Sequence, residues 1–256
     1  MFASLIERMV FQPDANVGRP PPGVEERWVD TADGVRLHAW YARGARDGPT
    51  LIWSHGNGGN IAGRAEVLLA LAARGLNVLA YDYRGYGNSG GRPTEAGVYG
   101  DAQAAYDSER RHGVPAHRII AFGESLGGAV SIARAFTRRC AGVAVISTFT
   151  SMRDVARAHF GPLALFAGEG FKSVERVRAL AVPIFIAHGD RDEIVPYELG
   201  KRLFAEANPP KQFLPVRGAH HNDVFSASHL LDAIAVFARR SSTRRHDGDA
   251  DPTRRR

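Results

Sequence analysis

Six short apolar runs, "TLIWSH", "NVLAYDY", "RIIAFG", "GVAVIS", "PIFIAH" and "KQFLPV", recur along this chain with amphipathic stretches between them. That alternation narrows the fold more than any other feature. The runs are rich in β-branched and aromatic residues and largely apolar throughout, as strands buried on both faces must be. The intervening segments, near Ile61 to Ala73, Glu95 to Arg111, Leu126 to Arg138, Tyr197 to Ala207 and Asp223 to Arg240, have helical spacing of their apolar residues. Strand and helix in alternation imply an α/β fold with a mainly parallel, twisted sheet and helices on both faces. Two more alternating runs flank Asp33-Gly34 in "ERWVDTADGVRLHAWYAR" and read as a β-hairpin, which brings the sheet to about eight strands.

A chain of 256 residues, 44% hydrophobic and 23% charged, can close one core of this class. We therefore expect one α/β domain over residues 24–240, preceded by an amphipathic segment and a Pro-rich connector at 1–23 and followed by a tail at 241–256. One connection is too long for a simple crossover helix: residues 151–180 carry Phe160, Leu163, Leu165 and Phe166 just after Phe149, and read as a small cap. Those apolar side chains serve equally as core or as the wall of an acyl pocket.

The formal net charge of +6 suggests a nucleic-acid partner until its position is considered. The segment from Arg239 onward holds seven Arg against three Asp, so the body is close to neutral and no nucleic-acid partner is expected. The tail lacks apolar periodicity and reads as a solvated, disordered appendage. Cys140 is the one cysteine, which leaves no intramolecular disulfide and marks an inert structural thiol. No stretch reaches the roughly 20 apolar residues of a membrane span, and the start has no signal-peptide pattern, so a cytoplasmic location is expected. Phe2, Leu5, Ile6 and Met9 form one apolar stripe, which either packs on the domain or gives residues 1–11 weak peripheral contact with the inner face of a membrane.

The chemistry centres on "RIIAFGESLGGAV". With 28 glycines in 256 residues, well above the usual share of ~7%, a Gly-x-Ser-x-Gly alone decides little. Its setting decides more, because Ser125 ends an expected strand and opens an expected helix. A sharp elbow there strains the serine backbone, Gly123 and Gly127 remove colliding side chains, and the helix start aims the Leu126 N–H at a developing oxyanion. A serine hydroxyl needs a general base that is itself oriented by a third group. "FIAHGDRDEIVP" brings Asp190, Asp192 and Glu193 past one later strand, and "FLPVRGAHHNDVF" brings His220 and His221 past the next. The order serine, acid, histidine at successive strand ends is the order of hydrolases with this elbow.

Taken with "WSHGNGGN", "DYRGYGNSGGRPTE", "HGDRDEIVP" and "GAHHND", the pattern resembles the α/β-hydrolase superfamily, and within it the Bem46-like serine hydrolases, over about Glu26 to Arg239. The resemblance implies the α/β-hydrolase fold, a catalytic triad of Ser125, Asp192 and His221, and an oxyanion hole from the backbone N–H groups of Asn57 and Leu126. It also implies that His55 shapes the oxyanion loop through hydrogen bonds. The expected activity is cleavage of a small-molecule carboxylic ester or thioester through an acyl-enzyme, without cofactor or metal. Two alternatives stay open: a serine exopeptidase or amidase, and a catalytically silent scaffold. One departure bears on the second, since His220 stands where relatives usually carry glycine and can crowd or compete with His221.

Other motifs have plainer readings. "HGNGGN" lacks the Gly-Lys-Ser/Thr of a phosphate loop. Asp82, Arg84 and Ser89 suit a tight loop held by side-chain hydrogen bonds. The spacings of His188, Asp190, Asp192, His220 and His221 fit no standard zinc motif.

Overall fold

The computed structural model describes residues 10–162 and 170–243. Its strands are β1 (Gln12–Pro13), β2 (Val24–Asp30), β3 (Arg36–Ala42), β4 (Thr50–Ser54), β5 (Gly58–Gly59), β6 (Asn77–Tyr81), β7 (Ile119–Glu124), β8 (Gly142–Ile146), β9 (Ile184–Gly189) and β10 (Lys211–Val216). The helices are α1 (Ala65–Ala73), α2 (Glu95–Arg111), α3 (Leu126–Thr137), α4 (Met152–Phe160), α5 (Ser173–Val177), α6 (Tyr197–Glu206) and α7 (Ser228–Thr243).

Eight strands form one sheet in the order β10-β9-β8-β7-β4-β6-β3-β2. Only β3 runs against its neighbours β2 and β6, and the pairings from β6 through β4 to β10 are all parallel. All six apolar runs of the sequence are strands of this sheet, but "KQFLPV", expected to be buried on both faces, is the edge strand β10 and only its last residue, Val216, is fully buried. The hairpin forms as well, with Thr31 Oγ1 accepting from the Val35 N–H at 2.8 Å and Gly34 taking a φ of +82° that suits glycine.

The period of a strand puts alternate residues on opposite faces, and the core divides accordingly. Ile52, Leu79, Ala121, Val143, Val145 and Ile186 face the layer of α2, α3 and α6. Leu51, Trp53, Val78, Phe122, Ile146 and Phe185 face α1 and α7. Helix α2 starts where the Thr94 side chain accepts from the Gly97 N–H at 3.0 Å, with Glu95 in the first turn. All the parallel strands therefore end at the same edge of the sheet, where ligands bind in folds of this kind.

Three segments qualify the expectations. The connector before β2 is more than a spacer: β1 pairs in parallel with β5, and Phe11 and Val17 are buried. Helix α7 continues past Arg240 to Thr243, and the rest of the basic tail lies outside the described residues. Phe149, just before the cap, is buried in the core, while Phe160 within the cap is 67% exposed. Leu163, Leu165 and Phe166 lie outside the described residues, as do the apolar residues Phe2, Leu5, Ile6 and Met9. Among the described residues no helix is long and apolar enough to cross a membrane.

Candidate active site

Ser125 occupies the turn between β7 and α3 with φ 50° and ψ −120°. A non-glycine residue in that conformation is strained, and the neighbouring packing holds it there. The Ser125 N–H donates to Ile146 O at 2.8 Å, and Thr148 Oγ1 donates to Ser125 O at 2.8 Å. The glycines on either side permit the approach of strand and helix. A Cβ on Gly123 would lie 2.1 Å from Gly127 O, and one on Gly127 would lie 1.9 Å from Ser54 O.

Asp192 follows β9 and His221 follows β10. His221 Nδ1 sits 2.7 Å from Asp192 Oδ2, which sets Nδ1 as the donor and turns Nε2 outward. The other carboxylate oxygen accepts from the N–H groups of Ile194 at 3.0 Å and Val195 at 2.7 Å. Burial opposes ionisation of Asp192, but hydrogen bonds from His188 and His221 overcome it and hold the carboxyl below the usual carboxylate range. His188 is fully buried beneath this loop, with Nε2 2.8 Å from Val195 O and 3.3 Å from Asp192 Oδ2.

The competing residues are occupied elsewhere. Asp190 Oδ1 accepts from the Gly218 N–H at 2.6 Å on the surface. His220 is exposed and turns its ring to Glu193, with Nδ1 2.9 Å from Oε2. That pairing pushes the His220 imidazole up from its ordinary value, and the ring neither crowds His221 nor competes for Asp192.

The loop after β4 carries Asn57, whose backbone N–H the sequence offered as the second oxyanion donor. The Asn57 side chain is held by neighbouring segments, donating to Val10 O and accepting from Tyr86 Oη at 3.0 Å. Neither the Asn57 backbone N–H nor that of Leu126, the first residue of α3, has a hydrogen-bond partner among the described residues. Behind the loop, Glu124 accepts from the Gly56 N–H at 2.9 Å and from Arg64 Nε at 2.7 Å. Arg64 Nη1 in turn donates to Gly58 O at 2.9 Å and Asn60 O at 3.2 Å. Burial works against ionised Glu124, but the Arg64 charge outweighs it and keeps the carboxyl below its ordinary value.

His55 anchors the base of the same loop. Its Nδ1 donates to Gly56 O at 2.7 Å, and its Nε2 lies 3.4 Å from the fully buried Asp82, which also accepts from the Ile61 N–H at 2.9 Å. Arg84 bonds Asp101 and Asp33, and Ser89 Oγ donates to Asp82 O at 2.9 Å, so the loop after β6 is fixed by side chains.

Residues 10–16 strap the loop from outside. Asn60 Nδ2 donates to Asp14 O at 3.0 Å and to Asn16 O at 2.9 Å, and Tyr86 Oη accepts from the Gln12 N–H at 3.2 Å. Sequence reading missed both the Glu124–Arg64 clamp and this strap. The only signal for the first was one acidic residue at the end of an otherwise apolar strand. The strap left no signal beyond Phe11 and Val17 in a polar stretch.

Ser125, His221, Asn57, Glu124 and Arg64 line one cavity of about 630 Å³. Its apolar wall comes from Trp53, Val67, Ile194, Val224 and Phe225 rather than from any described residue of the cap. Phe149 and Phe160, offered by the sequence as pocket candidates, are absent from it. Among the described residues no cluster of His, Cys, Asp or Glu is arranged to hold a metal ion.

Known proteins resemble this chain over most of its length. Residues 48–172 match the family described as serine aminopeptidase, S33. An uncharacterized protein of Mycobacterium tuberculosis is 37% identical over 241 residues, covering 90% of this chain and 86% of that protein. The alpha/beta hydrolase domain-containing protein 17B of Homo sapiens is 31% identical over 222 residues, covering 86% and 76%. Among solved structures, the Pyrococcus furiosus esterase Pf2001 superposes with a TM-score of 0.72 at 22% identity, covering 90% of this chain and 98% of that one.

Proposed function

Because the chain belongs to the α/β-hydrolase superfamily, we propose that it is a serine hydrolase that cleaves a carboxylic ester or thioester through an acyl-enzyme. The observation that carries this reading is a strained Ser125 in one cavity with His221, whose ring is hydrogen-bonded to a buried, ionised Asp192.

In the first half-reaction Ser125 Oγ attacks the acyl carbon and its proton passes to His221 Nε2. Asp192 holds the Nδ1–H tautomer and stabilises the imidazolium. The carbonyl oxygen gains charge against the N–H groups of Leu126 and Asn57, each donor contributing about 3 kcal/mol in comparable sites. The bond to the leaving heteroatom breaks as His221 returns the proton to it. Water then takes the vacated place, gives its proton to His221 and attacks the acyl carbon, and the proton goes to Ser125 Oγ as that ester opens. The apolar wall of Trp53, Val67, Val224 and Phe225 suits an acyl chain.

The match to a family described as aminopeptidases favours a second reading, exopeptidase activity. An aminopeptidase needs a carboxylate free to bind an α-ammonium group. Among the described residues Glu124 is the acid on the cavity wall, and its carboxylate is already engaged by Arg64 and the Gly56 N–H. The ester reading therefore stands ahead. It is tested by turnover of short p-nitrophenyl esters against aminoacyl anilides, with Ser125→Ala as control. Hydrolysis of the esters, lost in the variant, is expected; anilide turnover alone would transfer the assignment to a peptidase.

A further inference from the structure

Ser147 departs from its surroundings in three independent ways. It follows β8 with a φ of 49°, a left-handed conformation that a serine takes only where packing imposes it. It is 2% exposed, and its hydroxyl has no hydrogen-bond partner among the described residues, although buried hydroxyl groups are normally satisfied. It also forms part of the wall of the cavity that holds Ser125 and His221. A strained backbone and an unsatisfied buried hydroxyl both cost stability, and both coincide at the reaction site. Packing holds the φ, and a ligand in the cavity that reaches the hydroxyl would supply its missing hydrogen bond.

The sheet order says which part of a ligand that is. Glu124 pairs with Ile146 across β7 and β8, so Ser125 and Ser147 are the next residues in register at adjacent strand ends. The Ser125 N–H bonds Ile146 O, and the Ser147 N–H bonds Ala187 O at 2.9 Å, so the position of each is fixed by the ladder. Asn57 follows β4 on one side of β7, while Asp192 and His221 follow β9 and β10 on the other. The carbonyl oxygen of a substrate on Ser125 turns toward β4 and its N–H donors. The leaving heteroatom turns toward His221, on the side where Ser147 stands.

We propose that the Ser147 hydroxyl is a substrate-positioning group that hydrogen-bonds the leaving heteroatom of the ester, and then the water that takes its place. This rests on the serine-hydrolase reading above. In acylation the hydroxyl orients the heteroatom to receive the His221 proton; in deacylation it orients the water to give its proton to His221. No proton is taken up or lost by Ser147 in either step.

The test uses Ser147→Ala and Ser147→Gly with two butyrate esters, one with a p-nitrophenolate leaving group and one with an alkoxide. Glycine relieves the positive φ and alanine does not, but both lack the hydroxyl. Both variants are expected to lose about tenfold in kcat/KM on the alkyl ester, and no more than about twofold on the aryl ester, whose leaving group needs little assistance. Neither variant should have a lower Tm than the wild type. Rates equal to wild type on both esters, or equal losses on both with a lowered Tm, would overturn the assignment and make Ser147 a structural residue. Fluorophosphonate labelling of the same proteins separates the two readings. Wild-type protein that is labelled at Ser125 while the Ser147 variants turn over both esters normally overturns only the Ser147 assignment. Wild-type protein that is not labelled overturns the serine-hydrolase reading and this one with it.

Discussion

Removing the charge of Glu124 tests whether the loop after β4, which carries the proposed oxyanion donor, is clamped from behind by an ion pair. The carboxylate accepts from Arg64 Nε at 2.7 Å and from the Gly56 N–H at 2.9 Å, and the two side chains are 16% and 18% exposed. A hydrogen bond to a charged group contributes about 1.5–3 kcal/mol, and the partial exposure argues for the lower end. Glu124→Gln keeps one acceptor and loses the charge, so it should cost about 1–2 kcal/mol in urea unfolding. A double-mutant cycle with Arg64→Met should return a coupling of about 1.5 kcal/mol. Catalysis should suffer through the Asn57 N–H. One oxyanion donor is worth ~3 kcal/mol, and a loosened loop forfeits part of it, so kcat should fall about tenfold with KM little changed.

The pH dependence carries a sign. The Glu124 carboxyl is held below its ordinary value of 4.5 in the folded protein. Its contribution is therefore present above pH ~4.5 and lost as pH falls through the lower folded value, so the deficit of Glu124→Gln should shrink in acid. A coupling under about 0.5 kcal/mol together with kcat within twofold of wild type would refute the clamp.

Other perturbations follow from the same geometry. Gly127→Ala would place a Cβ 1.9 Å from Ser54 O. Because that contact is backbone, α3 must move off β4, and a loss of about 3 kcal/mol with at least a hundredfold lower kcat is expected in unfolding and turnover assays. His220→Ala should leave kcat/KM within about twofold, since the ring is exposed and held by Glu193, whereas His221→Ala should lose a factor of about 10⁴; a loss confined to His220→Ala would make His220 the base instead. Starting the chain at Gly18 removes Phe11, buried to 6% exposure, and Val17, at 5%, together with the bonds from Asn60 to Asp14 and Asn16. Circular-dichroism melting should then show a stability loss of about 3 kcal/mol or more from the apolar burial alone, with a lower kcat as the loop loosens.

The inner sheet was legible because β4, β6, β7, β8 and β9 are buried on both faces, and a run such as "RIIAFG" has few other places to go. Helix α2 was legible to its termini because Thr94, Glu95 and the closing arginines punctuate it. The elements that escaped are those whose stability is tertiary. Neither two-residue strand, β1 or β5, has a pattern long enough to read, and each exists because the other is there. At the site, motif order pointed to the strand ends that the structure brings together around one cavity, but could not choose within them. Asp190 and Asp192 are two residues apart, and His220 and His221 adjacent, so orientation alone distinguishes them. The Glu124–Arg64 pair spans 60 residues of sequence, and the φ of Ser147 has no sequence signature at all.

Labelling with a fluorophosphonate, read by intact mass on the wild type, Ser125→Ala and His221→Ala, tests the central claim most directly. The account predicts one adduct on the wild type, none on Ser125→Ala, and labelling slowed by orders of magnitude in His221→Ala. Absence of an adduct on folded wild-type protein, or an adduct that survives Ser125→Ala, would contradict it.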